Sequence, residues 1–425
     1  TLLGFTPLQA SAGKATQQTC VGFKDDNDAS TAAQRDLFRV SCAVTDNFDD
    51  PDENLNLEGI ELNSAAQNLA TEETLAPTNL ALKSISGQAT NINNRLSGIH
   101  SGVMGFTVNS ANLSSIKTAE NHLTGGAAGD ETTAMSESLG GFLNVIGRFG
   151  ESDQTEWEDE YEFDTQGMTL GLDYRFTEQI VAGLAFGYDR HDLDFQESSL
   201  VAGGSTTSSH YSGSLYSTYT KGDLYLDGIL TYTRSNYDIN RNIFIDSNTT
   251  AEGADRTAVA DPDGDQFAVG LGTGYNFNYG ALNLTPYVRA SYLNINIDSY
   301  EESGAGGLNL NVEDQNAESF QTVLGGQISY VFNQSFGVII PQASIDWHHE
   351  FLDDVREVNA TYISDPRRNV LTARSDEIDR DFANLNVSVQ GVFARGVQGF
   401  LAYDTLLGSK NFESNTFTAG IRISF

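Results

Sequence analysis

The segment N-T-F-T-A-G-I-R-I-S-F holds a side-chain period of two to its last residue. Phe417, Ala419, Ile421, Ile423 and Phe425 are apolar, with Thr418, Gly420, Arg422 and Ser424 between them. That period belongs to an extended strand with one apolar and one polar face. The pattern recurs upstream: Met168, Leu170, Leu172, Tyr174 and Phe176 alternate with Thr169, Gly171, Asp173 and Arg175. Phe267, Val269, Leu271, Tyr275 and Phe277 keep the same spacing, as do Phe320, Leu324, Ile328 and Tyr330. Twelve such strands start near residues 141, 167, 180, 210, 223, 265, 282, 317, 335, 380, 397 and 415.

Their connections sort into two kinds. Thr177-Glu178-Gln179, Lys221-Gly222, Asn278-Tyr279-Gly280, Asn333-Gln334 and Arg395-Gly396 are tight turns after the even-numbered strands. Long polar loops follow strands one, three, five, seven and nine, among them E-S-D-Q-T-E-W-E-D-E-Y-E-F-D. Short turns on one rim and long loops on the other fit an outer-membrane barrel, turns in the periplasm and loops outside. A soluble sandwich or propeller gives no reason for such sorting. The fold class expected is therefore an all-β transmembrane barrel of twelve antiparallel strands over residues 138–425, its outward faces against outer-membrane lipid. Phe176, Phe277, Tyr330, Phe332, Trp347 and Phe351 stand at strand ends, where aromatic girdles form. The terminal strand is expected to close the barrel against the first, because unpaired backbone in hydrocarbon is costly.

Residues before about 138 read differently. They are polar and poor in aromatics, and Leu80, Leu82, Ile85, Ile92, Leu96 and Ile99 follow a helical stripe that Thr78 could cap after Pro77. A short helix is expected over 59–70, and T-G-G-A-A-G-D at 124–130 reads as a flexible connection. Three segments are expected: a signal-peptide remnant at 1–12, a small helical region at 13–76, and a pore-helix and linker region at 77–137. The first rests on T-L-L-G-F-T-P-L followed by Ala10-Ser11-Ala12, an A-x-A cleavage pattern that implies Sec export. In an exported chain the two cysteines, Cys20 and Cys42, most simply form one disulfide.

Charge and motifs exclude much. The formal charge of −35, from 58 acidic and 23 basic residues, argues against nucleic acid. No G-x-S-x-G, H-E-x-x-H or phosphate-cradling loop is present, so no enzyme and no cofactor is expected. His348 and His349 adjoin on a strand and point to opposite faces, which excludes a shared metal. Asp261-Pro262-Asp263-Gly264-Asp265 lacks the twelfth-position acid of a calcium loop, where Thr273 falls, and reads as a hydrated turn, as does Asp25-Asp26-Asn27-Asp28.

The strand count, L-N-L-T-P-Y-V-R-A-S-Y-L, V-L-G-G-Q-I-S-Y, I-I-P-Q-A-S-I-D-W-H-H-E-F and the terminal F-T-A-G-I-R-I-S-F together resemble the translocator domain of autotransporters, the type V secretion family. The resemblance implies a helix threading the pore, and N-I-N-N-R-L-S-G-I-H at 91–100 is similar to its end, with His100 where the family tends to have Arg. Asn93, Asn94, Arg95 and Leu96 are then pore-helix residues. This chain departs by placing Ser101 to Glu137 between that helix and strand one. The resemblance further implies recognition of the terminal strand, Phe417, Ile421, Ile423 and Phe425, by the barrel-insertion machinery. Some members cut their passenger free at a pore-helix Asn, which would place cleavage near Asn93-Asn94.

A filled pore also follows from the strands. Gly171, Gly183, Gly187, Gly270, Gly272, Gly274, Gly325 and Gly420 fall on the inward face and leave volume for water or a helix. Arg148, Asp173, Arg175, Asp227, Arg289, Asp346 and Arg422 are expected to line the lumen, pairing with the helix or with each other. Three functions remain open: secretion or display of the short amino-terminal region, a structural or adhesive surface protein that self-associates, and a plugged porin.

Overall fold

The computed structural model describes residues 7–26, 29–46, 48, 51–58, 60–69, 71–100, 139–198, 201–393 and 397–424. Twelve long strands form one closed antiparallel barrel. They are β1 (Leu139–Ser152), β2 (Tyr161–Arg175), β3 (Ile180–Phe195), β4 (Gly204–Lys221), β5 (Leu224–Ile245) and β6 (Asp263–Tyr275). The circuit continues through β7 (Leu282–Ile297), β8 (Gln315–Tyr330), β9 (Gly337–Glu350), β10 (Asp381–Phe393), β11 (Val397–Leu407) and β12 (Phe412–Ser424). Closure is by β1 on β12, in register from Gly140 opposite Ser424 to Ser152 opposite Phe412. Closure removes every edge, which is what hydrocarbon demands of a sheet.

Turns follow the even strands. Between β4 and β5 only Gly222 and Asp223 intervene, and Gly222 has φ 63°, the left-handed geometry that a two-residue hairpin needs and glycine supplies. The turn at 394–396, the terminal Phe425, Asn27-Asp28 and the 101–137 connection lie outside the described residues. Asp263 and Asp265, expected in a hydrated turn, instead lie within β6; both face outward beside Arg234, whose Nη2 is 2.8 Å from Asp263 Oδ2. The ladder extends there because β5 continues beyond the bilayer and pairs with them.

The outward residues of β5 show how the wall is built. Leu224, Leu226, Leu230 and Tyr232 face lipid, a run of roughly 27 Å at about 3.3 Å per residue, matching the height of a barrel's apolar band. Aromatic pairs bound that band. Tyr174–Phe176, Tyr275–Phe277 and Tyr330–Phe332 stand at the turn rim, and Tyr188–Tyr211, Tyr403–Phe417 and Phe320–Phe351 toward the loops.

Above Tyr232 the two faces exchange character without any break in the β4–β5 register. The even positions become Arg234, Asn236, Asp238 and Asn240, exposed, while the odd positions become Tyr237, Ile239, Ile243 and Ile245, buried. On β7 the same exchange sets Leu293, Ile295 and Ile297 inward and Asn294 and Asn296 outward. Beyond the bilayer the wall is thus a water-facing sheet whose apolar side needs a cover.

The amino-terminal region is that cover. Helices α1 (Pro7–Asp26), α2 (Ala32–Val44) and α3 (Ile60–Asn68) lie on the loop rim, with Thr31 and Gln34 forming a capping box at the start of α2. α1 runs unbroken through Ala10-Ser11-Ala12. Cys20 and Cys42 are disulfide-bonded, tying α1 to α2. A four-stranded sheet built from Tyr300–Glu301, Leu310–Val312, Glu357–Tyr362 and Val370–Arg374 flanks them. Phe23, Leu37, Val40, Leu57 and Leu69 share one core with Tyr237, Ile243, Ile297, Val312, Tyr362 and Leu371.

Candidate functional site

Helix α4 (Ala76–His100) fills part of the lumen. It starts at Ala76, straight from the 3-10 turn Glu72–Leu75, so Pro77 lies in its first turn, where a missing N–H costs nothing. Thr78 does not cap this helix: its hydroxyl donates to Gln315 Oε1 on β8 at 2.7 Å. α4 runs from the loop rim, where Asn79 accepts from Arg356, to the turn rim, where His100 stacks on Tyr225 at 3.7 Å.

Ile92, Leu96 and Ile99 pack on Phe142, Val181, Ala185 and Tyr216 of the wall. Polar rungs fix the register along the same side. Gln88 donates to Ser214 Oγ at 3.2 Å and accepts from Thr169 Oγ1 at 2.7 Å, and Asn91 donates to Thr169 at 2.9 Å. Lower down, Arg95 Nε and Nη2 each donate to Asp173 at 2.6 Å, and Tyr216 adds a third donor to that carboxylate at 2.8 Å. Neither side chain of the Arg95–Asp173 pair is exposed. His100 Nε2 lies 2.9 Å from Asp227 Oδ1 and 3.0 Å from Thr218 Oγ1. From β12, next to β1, Arg422 Nη2 reaches the Asn94 carbonyl at 2.8 Å, and Ser97 donates to Gln327 of β8 at 3.1 Å.

The expected lumenal charges thus divide. Asp173, Asp227 and Arg422 hold the helix. Arg289 and Asp346 pair with each other at 3.6 Å, and Arg148 donates to Thr416 at 3.0 Å. Arg175 is half-buried near the end of β2. Asn93 and Asn94 face a cavity of about 1110 Å³ between α4 and the wall from β5 round to β12, lined also by Gln342, Asn384 and Asn386. His348 points into that cavity while His349 pairs with Asp381 outside, as opposite faces require. Phe417 and Ile421 are exposed on the outer surface, and Ile423 pairs through its backbone with Gly141 and Val397.

The inward glycines receive more than water or helix. A Cβ on Gly171 would sit 2.1 Å from the Phe142 ring; on Gly183, 2.4 Å from Tyr216; on Gly325, 2.1 Å from Tyr287; and on Gly420, 2.2 Å from Phe400. Rings from the neighbouring strand fill these positions. Gly187 lies against the helix, at Gln88, and Gly270 stays open to the cavity. Sequence reading missed Gln88, Asn91, Thr169 and Tyr216 as helix contacts. The signal for the wall residues was their place among inward, period-two positions.

The family model for the autotransporter β-domain matches residues 141–404. The chain belongs to the autotransporter β-domain family. It is 26% identical over 272 residues to the Rickettsia conorii "Outer membrane protein A", covering 62% of this chain and 13% of that protein. It is 27% identical over 205 residues to "Esterase EstA" of Pseudomonas aeruginosa, covering 47% of this chain and 29% of the other. The translocator domain of the autotransporter NalP from Neisseria meningitidis shares its fold, with TM-score 0.56, 15% identity, and coverage of 84% of this chain and all of that one. The chain spans less than a third of either curated relative named here. This autotransporter barrel is an outer-membrane translocator barrel whose long loops face outside the cell.

Proposed function

We propose that this barrel carries residues 7–75 to the cell surface and displays them there, still joined to the barrel through α4. One observation carries the reading: the direction of α4. Its amino end lies among the long loops and its carboxyl end at the turn rim, beside the start of β1, where Gly140 abuts the Arg95–Asp173 pair. The reading therefore puts the described residues before Ala76 on the outer side. The reading keeps the expected exported region at 13–76, pore-helix and linker region at 77–137 and barrel at 138–425, and counts residues 7–12 of the expected signal remnant at 1–12 with the exported helix α1, which runs unbroken through them.

Retention fits the lumen better than release. Asn93 and Asn94 face the cavity, but the lumenal carboxylates that such a cleavage would draw on are engaged: Asp173 by Arg95, Asp227 by His100 and Asp346 by Tyr287 and Arg289. The reading gives the chain a transport step and no hydrolytic one; "esterase" belongs to a relative's name. Sec export, insertion by barrel-assembly machinery through the β12 strand, and self-association through the exported region complete it as proposals. A tag in the α1–α2 connection at 27–30, probed with protease on intact cells, tests it. Digestion of the tag with survival of the barrel is expected, and full protection until the outer membrane is opened would leave a periplasmic plug instead.

A further inference from the structure

We propose that the cavity beside α4 is a binding site for a short neutral oligosaccharide, entered from outside the cell and closed toward the turn rim. The inference goes beyond display and does not depend on it, since α4 and the barrel wall form the site.

The lining selects its ligand by what it leaves available. Three of its rings are already covered: Arg289 lies 4.2 Å over Tyr287, Arg422 lies 4.4 Å over Phe400, and His348 stacks on Phe382 at 4.7 Å. An aromatic ligand finds those faces taken. Deeper charges are engaged as well, Arg289 with Asp346 at 3.6 Å and Asp404 with Asn386 at 2.7 Å. What remains is amide. Six such side chains line the cavity, Asn93 and Asn94 of α4 and Gln342, Asn384, Asn386 and Gln390 of β9 and β10. An amide donates and accepts, which is what a hydroxyl asks of its partners. Asn384 and Asn386 turn their NH2 groups to His348 and Asp404, at 3.3 and 2.7 Å, which leaves the amide oxygens as acceptors for an occupant. In the same wall His348 Nδ1 and Asp404 Oδ2 are enclosed without a partner. At about 1110 Å³ the space suits a hydroxyl-rich ligand of several rings.

The two ends of the cavity differ. Glu377 and Lys410, both exposed, line its loop-side mouth together with Trp157, whose ring carries Arg374 at 5.0 Å. Thr155 donates to Asp376 at 2.6 Å and so joins the β1–β2 loop to the β9–β10 loop at that mouth. Toward the turn rim, Ser97 with Gln327 and Arg422 with the Asn94 carbonyl tie α4 to the wall. Past them lies a separate space of about 20 Å³ beside His100 and Asp227, room for about one water. A sugar of several rings is stopped there and leaves by the mouth it entered. Such sugar reaches the mouth from two sources, free oligosaccharide and the lipopolysaccharide of the outer leaflet.

The test uses the full chain in lipopolysaccharide-free detergent, with calorimetry to detect binding and Trp157 emission to locate it. The chain has two tryptophans, and Trp347 faces lipid, so Trp347→Phe leaves Trp157 as the reporter at the mouth. Maltotriose is expected to bind saturably, with half-saturation on the order of 1 mM, and to shift Trp157 emission in parallel. Glutamate and spermidine should give neither response. Asn93→Leu in α4 and Gln342→Leu in β9 should each weaken maltotriose at least tenfold; if Asn93→Leu disturbs the helix, Gln342→Leu decides alone. Oligosaccharide released from lipopolysaccharide by mild acid separates the sources. Displacement at a tenth of the maltotriose concentration assigns the membrane sugar, and no displacement assigns the free one. No saturable heat or emission change with maltotriose would overturn the proposal, as would unchanged affinity in both variants or a stronger response to either charged solute. Rapid maltotriose efflux from proteoliposomes would overturn it too, by showing a through-channel in place of a closed site. None of these outcomes bears on display, which the protease experiment on intact cells decides separately.

Discussion

Arg95 and Asp173 meet in a two-pronged ion pair inside the barrel, both distances 2.6 Å and both side chains fully enclosed. An ion pair so enclosed is weak evidence of net stabilisation, yet removing one partner strands the other charge. Arg95→Leu or Asp173→Leu should each destabilise the helix-filled state by about 3–5 kcal/mol, and the double variant should cost clearly less than the sum. Urea unfolding of the barrel in detergent, run as a double-mutant cycle, measures this; additive losses would mean the two groups act independently.

The inward rings make glycine irreplaceable at a few wall positions. Gly171 lies under Phe142, whose ring also carries Arg95 at 5.7 Å. Gly171→Val should push Phe142 off the wall and disturb the helix contact, at about 1–3 kcal/mol. Gly213, with open space around its Cβ, is the contrasting site, and Gly213→Ala should be nearly neutral. Thermal shifts of the two variants compare them directly, and equal shifts would sink the packing account.

Much of this was legible. The period of two placed the wall and its lumenal charges, because a strand's faces follow from chain geometry alone. The alternation of turns and loops gave the orientation. The cap was harder, since pairing α1–α3 with distant loops depends on contacts more than two hundred residues apart, such as Asp36 with Arg256. One signal went unread. In β5 the apolar set moves from even positions, Leu224 to Tyr232, to odd ones, Tyr237 to Ile245, within one uninterrupted strand. A phase change of that kind marks where a barrel wall leaves lipid and begins to need a cover.

The disulfide acts on the cap and not on the barrel. Cys20 and Cys42, 22 residues apart, are both buried, and a loop of that size is stabilised by about 3 kcal/mol when closed. Cys20→Ser with Cys42→Ser should therefore speed proteolysis within residues 7–75 while leaving the melting of the barrel unchanged. A matching fall in barrel melting would show that cap and barrel unfold as one unit.

Glu73 gives the cap a pH dependence. It lies in the 3-10 turn leading into α4, 4% exposed, beside an Arg241 already held by both oxygens of Glu302. Burial, with the Arg241 charge opposing and Asp159 and Glu302 adding to it, pushes its carboxyl from 4.5 up to about 8. The folded cap thus prefers Glu73 protonated, and the unfolded chain releases that proton first. Below about pH 4.5 both states are protonated and the cap holds fully. As pH rises from there to about 8 the folded state binds the extra proton, so its stability falls, and above 8 no further loss occurs. Hydrogen-exchange protection of α1–α3 in detergent, taken relative to the intrinsic rate at each pH, should fall across that window and then level off. Glu73→Gln should flatten the profile; an unchanged slope in that variant would assign the dependence to another group.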